Sequence, residues 1–406
     1  MRLVAVIGGG PAGMAAAYSA AKAGASVTLY ESNEKLGKKL FISGKGRCNL
    51  TNDSPIENHM SNVLSNPRFL YSAYHAFSPQ DLMDLIENAG VPLKTERGNR
   101  VFPVSDKSSD VISAWARLLQ AEHVEVRLSD KVFAVDHLNE GFRIRSESGE
   151  RDFDAVVICT GGVTYRATGS TGDGYAFARS FGHAVVDPAP SLVGIRADVP
   201  HNLAGLSLKN VELSCVQKGK VLFREFGEML FTHSGISGPI VLTLSSRINR
   251  MDITTLTLSL DLKPALDLDT LDARLVREFN AAPNKSLRNV MPSLMPKSLI
   301  SFVLSEAKIE GDRPCQSVTK TERKSLAAVI KGVSLKPIEF EDFNGAIITA
   351  GGVSVTEIDP KNMMSRFVQG LFFAGEVLDL DALTGGYNLQ IAFSTGYLAG
   401  LHAANA

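Results

Sequence analysis

Three glycines spaced Gly8-x-Gly10-x-x-Gly13, set between the apolar residues 4–7 and an alanine-rich stretch, are the residues of this 406-residue chain best suited to hold a phosphate. Gly8 permits a tight turn, Gly10 lets the backbone approach a pyrophosphate, and Gly13 allows a helix to pack closely on the strand. The helix that opens at Pro11 and Ala12 offers free N–H groups and a partial positive charge. The next strand, Ser26–Tyr30, runs into Glu31, an acid 18 residues after Gly13 that suits a ribose diol. The arrangement predicts a dinucleotide site at the first turn of the chain.

Further donors and acids recur along the sequence. Residues 34–52 are rich in glycine and polar side chains and predict a loop rather than a regular element, in which Lys35, Lys38, Lys39, Lys45 and Arg47 face only Glu34. Glycines at 37, 44 and 46 allow backbone N–H groups to point at an anion or an electron-rich ring. On that reading Ser43, Gly44, Gly46, Arg47, Cys48 and Asn49 lie at the ring face; a basic surface loop is the alternative. The strand 153–162 ends in Thr160-Gly161-Gly162, and Asp173 either caps the following helix or contacts a ligand. A late strand ends at Gly375-Glu376, and residues 383–400 form a Gly-rich loop entering an apolar helix. The N-terminus of that helix, at Gly386, Asn388, Leu389 and Gln390, can face an anion. Two strand–acid–helix endings thus bracket one cofactor: Glu31 for an adenosine ribose, Glu376 for a ribityl hydroxyl, and the amides of Asn388 to Gln390 for the negative charge of a reduced flavin ring. Paired half-sites predict FAD, whereas a plain NAD dehydrogenase needs only the first. His233, in the Gly/Ser-rich stretch 231–239, is either structural or a catalytic acid.

The elements that must position these groups follow from periodicity and punctuation. Helices are predicted at 78–90 and 106–121, opened by Ser78-Pro79 and Asp106. Strands at 124–128, 131–137 and 141–146 form an antiparallel meander, and 153–162 is a buried parallel strand that returns the chain to the first sheet. From Ser191 to about Asn344 the pattern changes: strands at 192–198, 210–217, 220–224, 240–244 and 253–260 accompany helices at 268–281, 286–291, 296–306 and 321–330. That marks an inserted domain. The 42 basic and 43 acidic residues nearly cancel, but residues 285–336 carry ten Lys/Arg against four Asp/Glu, an excess that reads as a solvated face or a nucleic-acid contact. Cys48, Cys159, Cys215 and Cys315 have no Cys-x-x-Cys spacing, which disfavours metal and thiol–disulfide chemistry and fits a reducing compartment. No apolar run reaches the ~18 residues of a membrane span, and the nucleotide strand leaves no room for a signal peptide, so a cytoplasmic protein without membrane or metal partners is expected.

The run 37–52, with Gly37-Lys-Lys and Ser43-Gly-Lys-Gly-Arg-Cys-Asn-Leu-Thr-Asn52, together with Ala374-Gly-Glu376 and Thr384-Gly-Gly-Tyr-Asn-Leu-Gln390, resembles the HI0933-like flavoproteins, the BaiN/RdsA family. The resemblance covers essentially the whole chain. It implies an α/β fold in which a glutathione-reductase-like, FAD-binding Rossmann domain (1–190 and 345–406) is interrupted by an insert at 191–344. The insert would be β-barrel-like over 191–262 and 331–344 and helical over 263–330. Non-covalent FAD would be lined by Gly8, Gly10, Gly13, Glu31, Lys39, Arg47, Cys48, Gly375, Glu376, Asn388, Leu389 and Gln390, with Val132 at the adenine. Glu376 stands where an aspartate is common. The implied chemistry is that of an FAD-dependent oxidoreductase, reducing an electron-poor C=C bond by hydride transfer from reduced flavin, with His233 or Tyr387 as the proton donor. The acceptor is a small molecule or, in an RNA-modifying enzyme, a uridine of ribosomal RNA reduced to dihydrouridine. A non-enzymatic flavin redox sensor using Cys48 is the third alternative. No second strand–Gly-x-Gly-x-x-Gly–helix unit lies between the two half-sites, so a dedicated NAD(P)H domain is not expected, which leaves the electron donor open, with NAD(P)H binding transiently over the flavin as one candidate.

Overall fold

β1 (Leu3–Ile7) turns at Gly8 into α1 (Pro11–Lys22) and returns as β2 (Ser26–Tyr30), parallel to β1, in a computed structural model that describes residues 1–405. Residues 4–7 are buried, as a strand covered on both faces requires. Two glycines of the turn are steric necessities. A Cβ on Gly8, where φ is +106°, would sit 2.5 Å from the Cys159 carbonyl oxygen, and one on Gly13 would lie 1.7 Å from the Gly8 carbonyl oxygen. α2 (Lys38–Ile42) corrects the expectation of an irregular segment over 34–52. Gly37 at φ +64° starts the helical turn, Leu40 anchors it in the core, and Ser43 Oγ donates to the Leu40 carbonyl at 2.7 Å. One buried leucine carries this turn, too little for local composition to display.

β3 (Thr51–Asn52), α3 (Ile56–Ser61), α4 (Tyr71–Ala76), α5 (Pro79–Asn88), β4 (Leu93–Glu96), β5 (Arg100–Pro103) and α6 (Ser108–Ala121) follow. β3, β5 and β4 form a small antiparallel sheet, and α5 starts at a capping box of Ser78 and Asp81. Asp106 does not start α6 as expected: Lys107 is the N-cap residue, and Asp106, at φ +56°, pairs with Lys94 at 2.8 Å. β6 (Glu125–Arg127) is parallel to β2 rather than part of the meander, because the chain reaches it through α6, the crossover that a parallel neighbour requires. The meander consists of β7 (Val132–His137), β8 (Phe142–Ser146) and β9 (Gly149–Phe153). β10 (Ala155–Ile158) then returns beside β1, followed by α7 (Asp173–Ser180) and β11 (Val185–Ser191).

Residues 192–345 form a second unit, while residues 1–191 and those from 346 onward form the first. The second unit contains β12 (Ile195–Ala197), β13 (Ser207–Gln217), β14 (Lys220–Phe231), β15 (Gly235–Ser237), α8 (Pro239–Ile248), β16 (Leu256–Asp261), α9 (Leu268–Ala281), α10 (Leu287–Val290), α11 (Lys297–Glu306), α12 (Lys320–Lys331), β17 (Val333–Leu335) and β18 (Pro337–Phe340). Its strands make one antiparallel sheet in the order β17-β16-β13-β14-β15-β12-β18, which shares a core with the helices. The run 240–244, expected as a strand, lies inside α8. Its apolar residues fit either state, and the flanks decide: Gly238 at φ +96° and Pro239 at the first helical position start a helix. The hydroxyls of Ser245 and Ser246 then accept the N–H groups of Val193 and Leu192, each at 3.0 Å.

Back in the first unit, β19 (Ile348–Val353) pairs antiparallel with β11. β20 (Leu371–Phe373) pairs parallel with β10, completing a sheet of order β20-β10-β1-β2-β6. α13 (Tyr387–Ala403) approaches α1 at backbone distance: a Cβ on Gly396 would fall 2.1 Å from the Ala12 carbonyl oxygen, and one on Gly400 2.0 Å from that of Ala16. No helix among the described residues is long and apolar enough to cross a membrane. Gly396→Val should therefore cost at least the ~1–3 kcal/mol typical of overpacking. The loss is read as a lowered denaturant midpoint, and an unchanged midpoint would mean that the two helices are not locked together.

Candidate active site

The first half-site is built from the β1–α1 turn and the end of β2. A Cβ placed on Gly10 meets no atom within 4 Å, so this stretch of backbone is open where its neighbours Gly8 and Gly13 are closed by protein. Pro11 and Ala12 begin α1, whose first N–H groups have no partner within the helix. Glu31 is buried, and its carboxylate is fixed by the chain around it: Gly9 N–H donates to Oε2 at 2.7 Å, while Asn33 donates to Oε1 from its backbone N at 2.8 Å and from Nδ2 at 2.6 Å. Ser32 Oγ adds a third donor to Oε1 at 3.3 Å, so it is Oε2, with one donor, that retains a lone pair for a hydroxyl. Open backbone, orphan amides and an oriented acid fit the pyrophosphate and ribose of a dinucleotide.

Other expected ligands of this half are placed as follows. Val132 is buried at the start of β7, opposite Ser146. Thr160 Oγ1 is buried and has no hydrogen-bond partner among the described residues. Gly161 has φ +72°, and Gly162 packs so closely that a Cβ would be 2.3 Å from Thr349 Oγ1. Asp173 does not cap α7; Gly172 is the N-cap residue, and Asp173 pairs with Lys131 at 3.1 Å.

The C-terminal half-site departs further from expectation. Glu376, read as a ribityl ligand, is clasped by the protein: Lys39 Nζ lies 2.6 and 2.9 Å from its two oxygens, and Thr349 N donates at 2.9 Å. Lys39 also donates to Thr164 Oγ1 at 2.7 Å, so one cation ties α2 to the ends of β10 and β20. Gly375 has φ +79° and donates to Thr395 Oγ1 at 2.9 Å. Asn388 accepts from Ala382 N at 2.9 Å and donates to Ala382 O at 2.8 Å. Gln390 is fully buried, accepting from Thr51 Oγ1 at 2.6 Å and donating to Ser394 Oγ at 2.9 Å. The side-chain amides of Asn388 and Gln390 are thus turned into the protein. What remains for an anion is the first turn of α13, with the N–H groups of Tyr387, Asn388 and Leu389 behind Gly386. Gly386 itself, at φ +99°, touches Thr51, whose carbonyl oxygen would be 2.3 Å from a Cβ.

Residues 43–49 bring the cations less freedom than their sequence neighbours implied. Arg47 is bonded to Glu96 and Asp106 and lies over the Phe102 ring, 4.2 Å from its centroid. Lys38 pairs with Glu34 at 3.2 Å. The acids that answer Arg47 and Lys39 come from distant parts of the chain, so charge balance within the segment is a poor guide. Glycines 44 and 46 have φ +57° and +84°, and a Cβ on Gly44 would approach Asn49 N at 2.9 Å. The Asn49 amide bridges Thr51 O at 3.3 Å and Gly386 N at 3.1 Å. Cys48 is fully buried, and burial pushes its thiol up to about 12.

Tyr387 is buried at the start of α13, and its phenol oxygen accepts a bond from Asn58 Nδ2 at 3.1 Å. Its ring meets His59 edge-on, with centroids 5.1 Å apart. Asn58 and His59 had no periodicity or motif to mark them; only the fold brings α3 to α13. His233 is exposed at the bend between β14 and β15 and belongs to the other unit. All four cysteines are unpaired and buried, so the native protein should resist a thiol reagent at pH 8 and react fully only when unfolded. A rapidly labelled native cysteine would contradict this.

The model of the HI0933-like protein Rossmann domain matches residues 2–402. The chain is 30% identical over 409 residues to a 3-dehydro-bile acid delta(4,6)-reductase of Clostridium scindens, covering 100% of this chain and 99% of the relative. It is 31% identical over 398 residues to a ribosomal RNA dihydrouridine synthase of Escherichia coli, covering 97% and 95% of the two chains. Among solved structures, a 3-ketosteroid delta1-dehydrogenase from Sterolibacterium denitrificans superposes over 100% of both chains with a TM-score of 0.53 at 13% identity, a likeness of fold. With a whole-length family match and relatives at this identity, the chain belongs to the HI0933-like family.

Proposed function

We propose that this FAD-dependent oxidoreductase reduces an electron-poor carbon–carbon double bond in a small molecule, with Tyr387 giving the proton. The observation that carries the reading is the buried Tyr387 phenol at the N-terminus of α13, in the same unit as the open Gly10 backbone and Glu31. Both whole-length relatives have names that describe hydrogenation: one is a reductase, and dihydrouridine is uridine with two hydrogens added across one bond. When bound, FAD supplies a two-electron hydride donor. The β1–α1 turn holds its pyrophosphate without a covalent link, Glu31 takes ribose hydroxyls, and the first-turn amides of α13 face developing negative charge. Asn58 occupies a lone pair of the Tyr387 oxygen, which leaves the phenol proton as the group's free donor. The alkene carbon that does not receive hydride takes that proton.

We assign acceptor selection to the insert, 192–345, which we read as barrel-like with a helical part, and take NAD(P)H as the transient electron source. His233 is the second candidate acid. Four unpaired cysteines suit a cytoplasmic setting. The sensor reading loses its chemistry, because a buried Cys48 thiol pushed up to about 12 holds almost no thiolate at neutral pH.

Denaturation should release free FAD, and Gly10→Val should empty the site, since its branched side chain enters the one open stretch of the turn. Retained flavin in that variant would overturn the cofactor assignment. With the loaded protein, anaerobic reduction of a conjugated steroid enone should be lost by roughly 10²–10⁴-fold in Tyr387→Phe, the usual size of a general-acid contribution; equal turnover would remove Tyr387 from the reaction.

A ribosomal RNA substrate is the second reading, favoured by one feature of the insert. Arg313 and Arg323 are taken by Glu322 and Asp272, whereas Lys320 and Lys324 stand one turn apart on the exposed side of α12. Arg323, one of the cations in the basic excess, is therefore not free for phosphate. Reversing Lys320 and Lys324 to glutamate should weaken RNA binding and reduce its salt slope by about two, roughly one per phosphate contact. Unchanged RNA affinity would favour the small molecule.

A further inference from the structure

We propose that His59 is a positioning residue: a neutral imidazole that fixes the Tyr387 phenol, and whose protonation at Nδ1 releases it. This rests on the reading of Tyr387 as the proton donor. His59 sits on α3 beside Asn58, so one short helix delivers two groups to Tyr387, one at its oxygen and one at its ring. The imidazole is 0% exposed. Its Nε2 lies 2.9 Å from the Asn52 carbonyl oxygen, which only accepts, so the proton is on Nε2 and Nδ1 carries a lone pair. Nδ1 has no hydrogen-bond partner among the described residues. A buried acceptor without a partner is a standing cost that a phenylalanine at 59 would avoid.

Among the described residues, the groups hydrogen-bonded to or in ring contact with the imidazole carry no charge. β3 presents the Asn52 carbonyl, α13 the Tyr387 ring, and α4 the Tyr74 ring, 5.6 Å away between centroids. Burial pushes the Tyr74 phenol above its ordinary range, so it stays neutral. In the adjoining 381–383 loop, the Asp381 carboxylate accepts from Ser191 Oγ at 3.2 Å. On α3 itself Glu57 is exposed. Burial accordingly pulls His59 below its usual 6.5. Because the folded value is depressed, the unfolded or opened chain binds the proton more readily. The clamp is complete above pH 6.5 and weakens as pH falls below it. A charged ring must turn toward water, and Tyr387 then loses the edge-on contact that the imidazole provides. Gly385 packs on the same phenol ring, where a Cβ would lie 2.7 Å from Tyr387 Cε2.

The test puts 3-fluorotyrosine at position 387 of the full, FAD-loaded chain and follows its fluorine resonance from about pH 5 to 8. The resonance should shift in one step below pH 6.5 in the parent and stay flat in His59→Gln, which keeps an amide donor for the Asn52 carbonyl. A flat parent, or the same step in His59→Gln, would overturn the proposal. In enone reduction, His59→Phe should lower kcat about tenfold or more with KM little changed and raise the solvent deuterium isotope effect, as misplacement of a proton donor does. Unchanged kcat and isotope effect in a flavin-loaded variant would also sink it. If the resonance steps as expected but the parent and Tyr387→Phe reduce enones equally, the coupling stands and the donor role of Tyr387 falls.

Discussion

The contact of α1 with α13 is the constraint on which the rest depends. Gly396 and Gly400 bring the C-terminal helix to within van der Waals reach of the Ala12 and Ala16 carbonyls, and Ser19 Oγ donates across the seam to Tyr397 O at 2.8 Å. α1 begins at the phosphate turn and α13 begins at the Gly385-Gly386 loop, so locking the two helices sets the two half-sites relative to each other. A single larger residue on this seam would separate helix termini whose partial charges act only within their first turn.

A second interior device aligns the loops around that seam. Thr51 donates from its hydroxyl to Gln390, and Gln390 Nε2 and Ser394 Oγ donate to the Phe77 carbonyl at 3.2 and 2.6 Å. The network is buried and its members are satisfied, the condition under which buried polar groups specify one arrangement rather than loosen the core. It pins β3 against α13 at the point where Gly386 meets Thr51. Asn52, the next residue, then offers its carbonyl to His59 and its Nδ2 to Gly385 O at 3.1 Å.

The electrostatics follow from pairing at long sequence separation. Lys39 with Glu376 and Arg47 with Glu96 and Asp106 turn a segment that looks strongly basic into one whose charge is largely answered. The Lys39 pair is half-buried and braced by Thr164 and Thr349 N, and it acts as a strut between α2 and the strand ends. The Arg47 group is more exposed and holds the 43–49 turn to the β4–β5 sheet, with Phe102 under the guanidinium.

Sequence by itself determined the β1–α1–β2 unit, Glu31 at its end, the return of β10 and β20, and most helices. These are local matters: a glycine that must take positive φ, an apolar run with two buried faces, a capping box. It misjudged the run 240–244, because its four apolar residues and Thr243 satisfy both periods and the Gly-Pro ahead of them decides. It misplaced β6, because a three-residue strand shows no partner. Only the tertiary structure decided which side chains are free for chemistry. The Glu376 carboxylate and the side-chain amides of Asn388 and Gln390 spend their hydrogen bonds inside the protein, while Tyr387 gains Asn58 and His59 from a helix more than 300 positions earlier. The physical reason is that a side chain's remaining donors and acceptors depend on what the fold brings within about 3 Å, and neither composition nor spacing along the chain contains that distance.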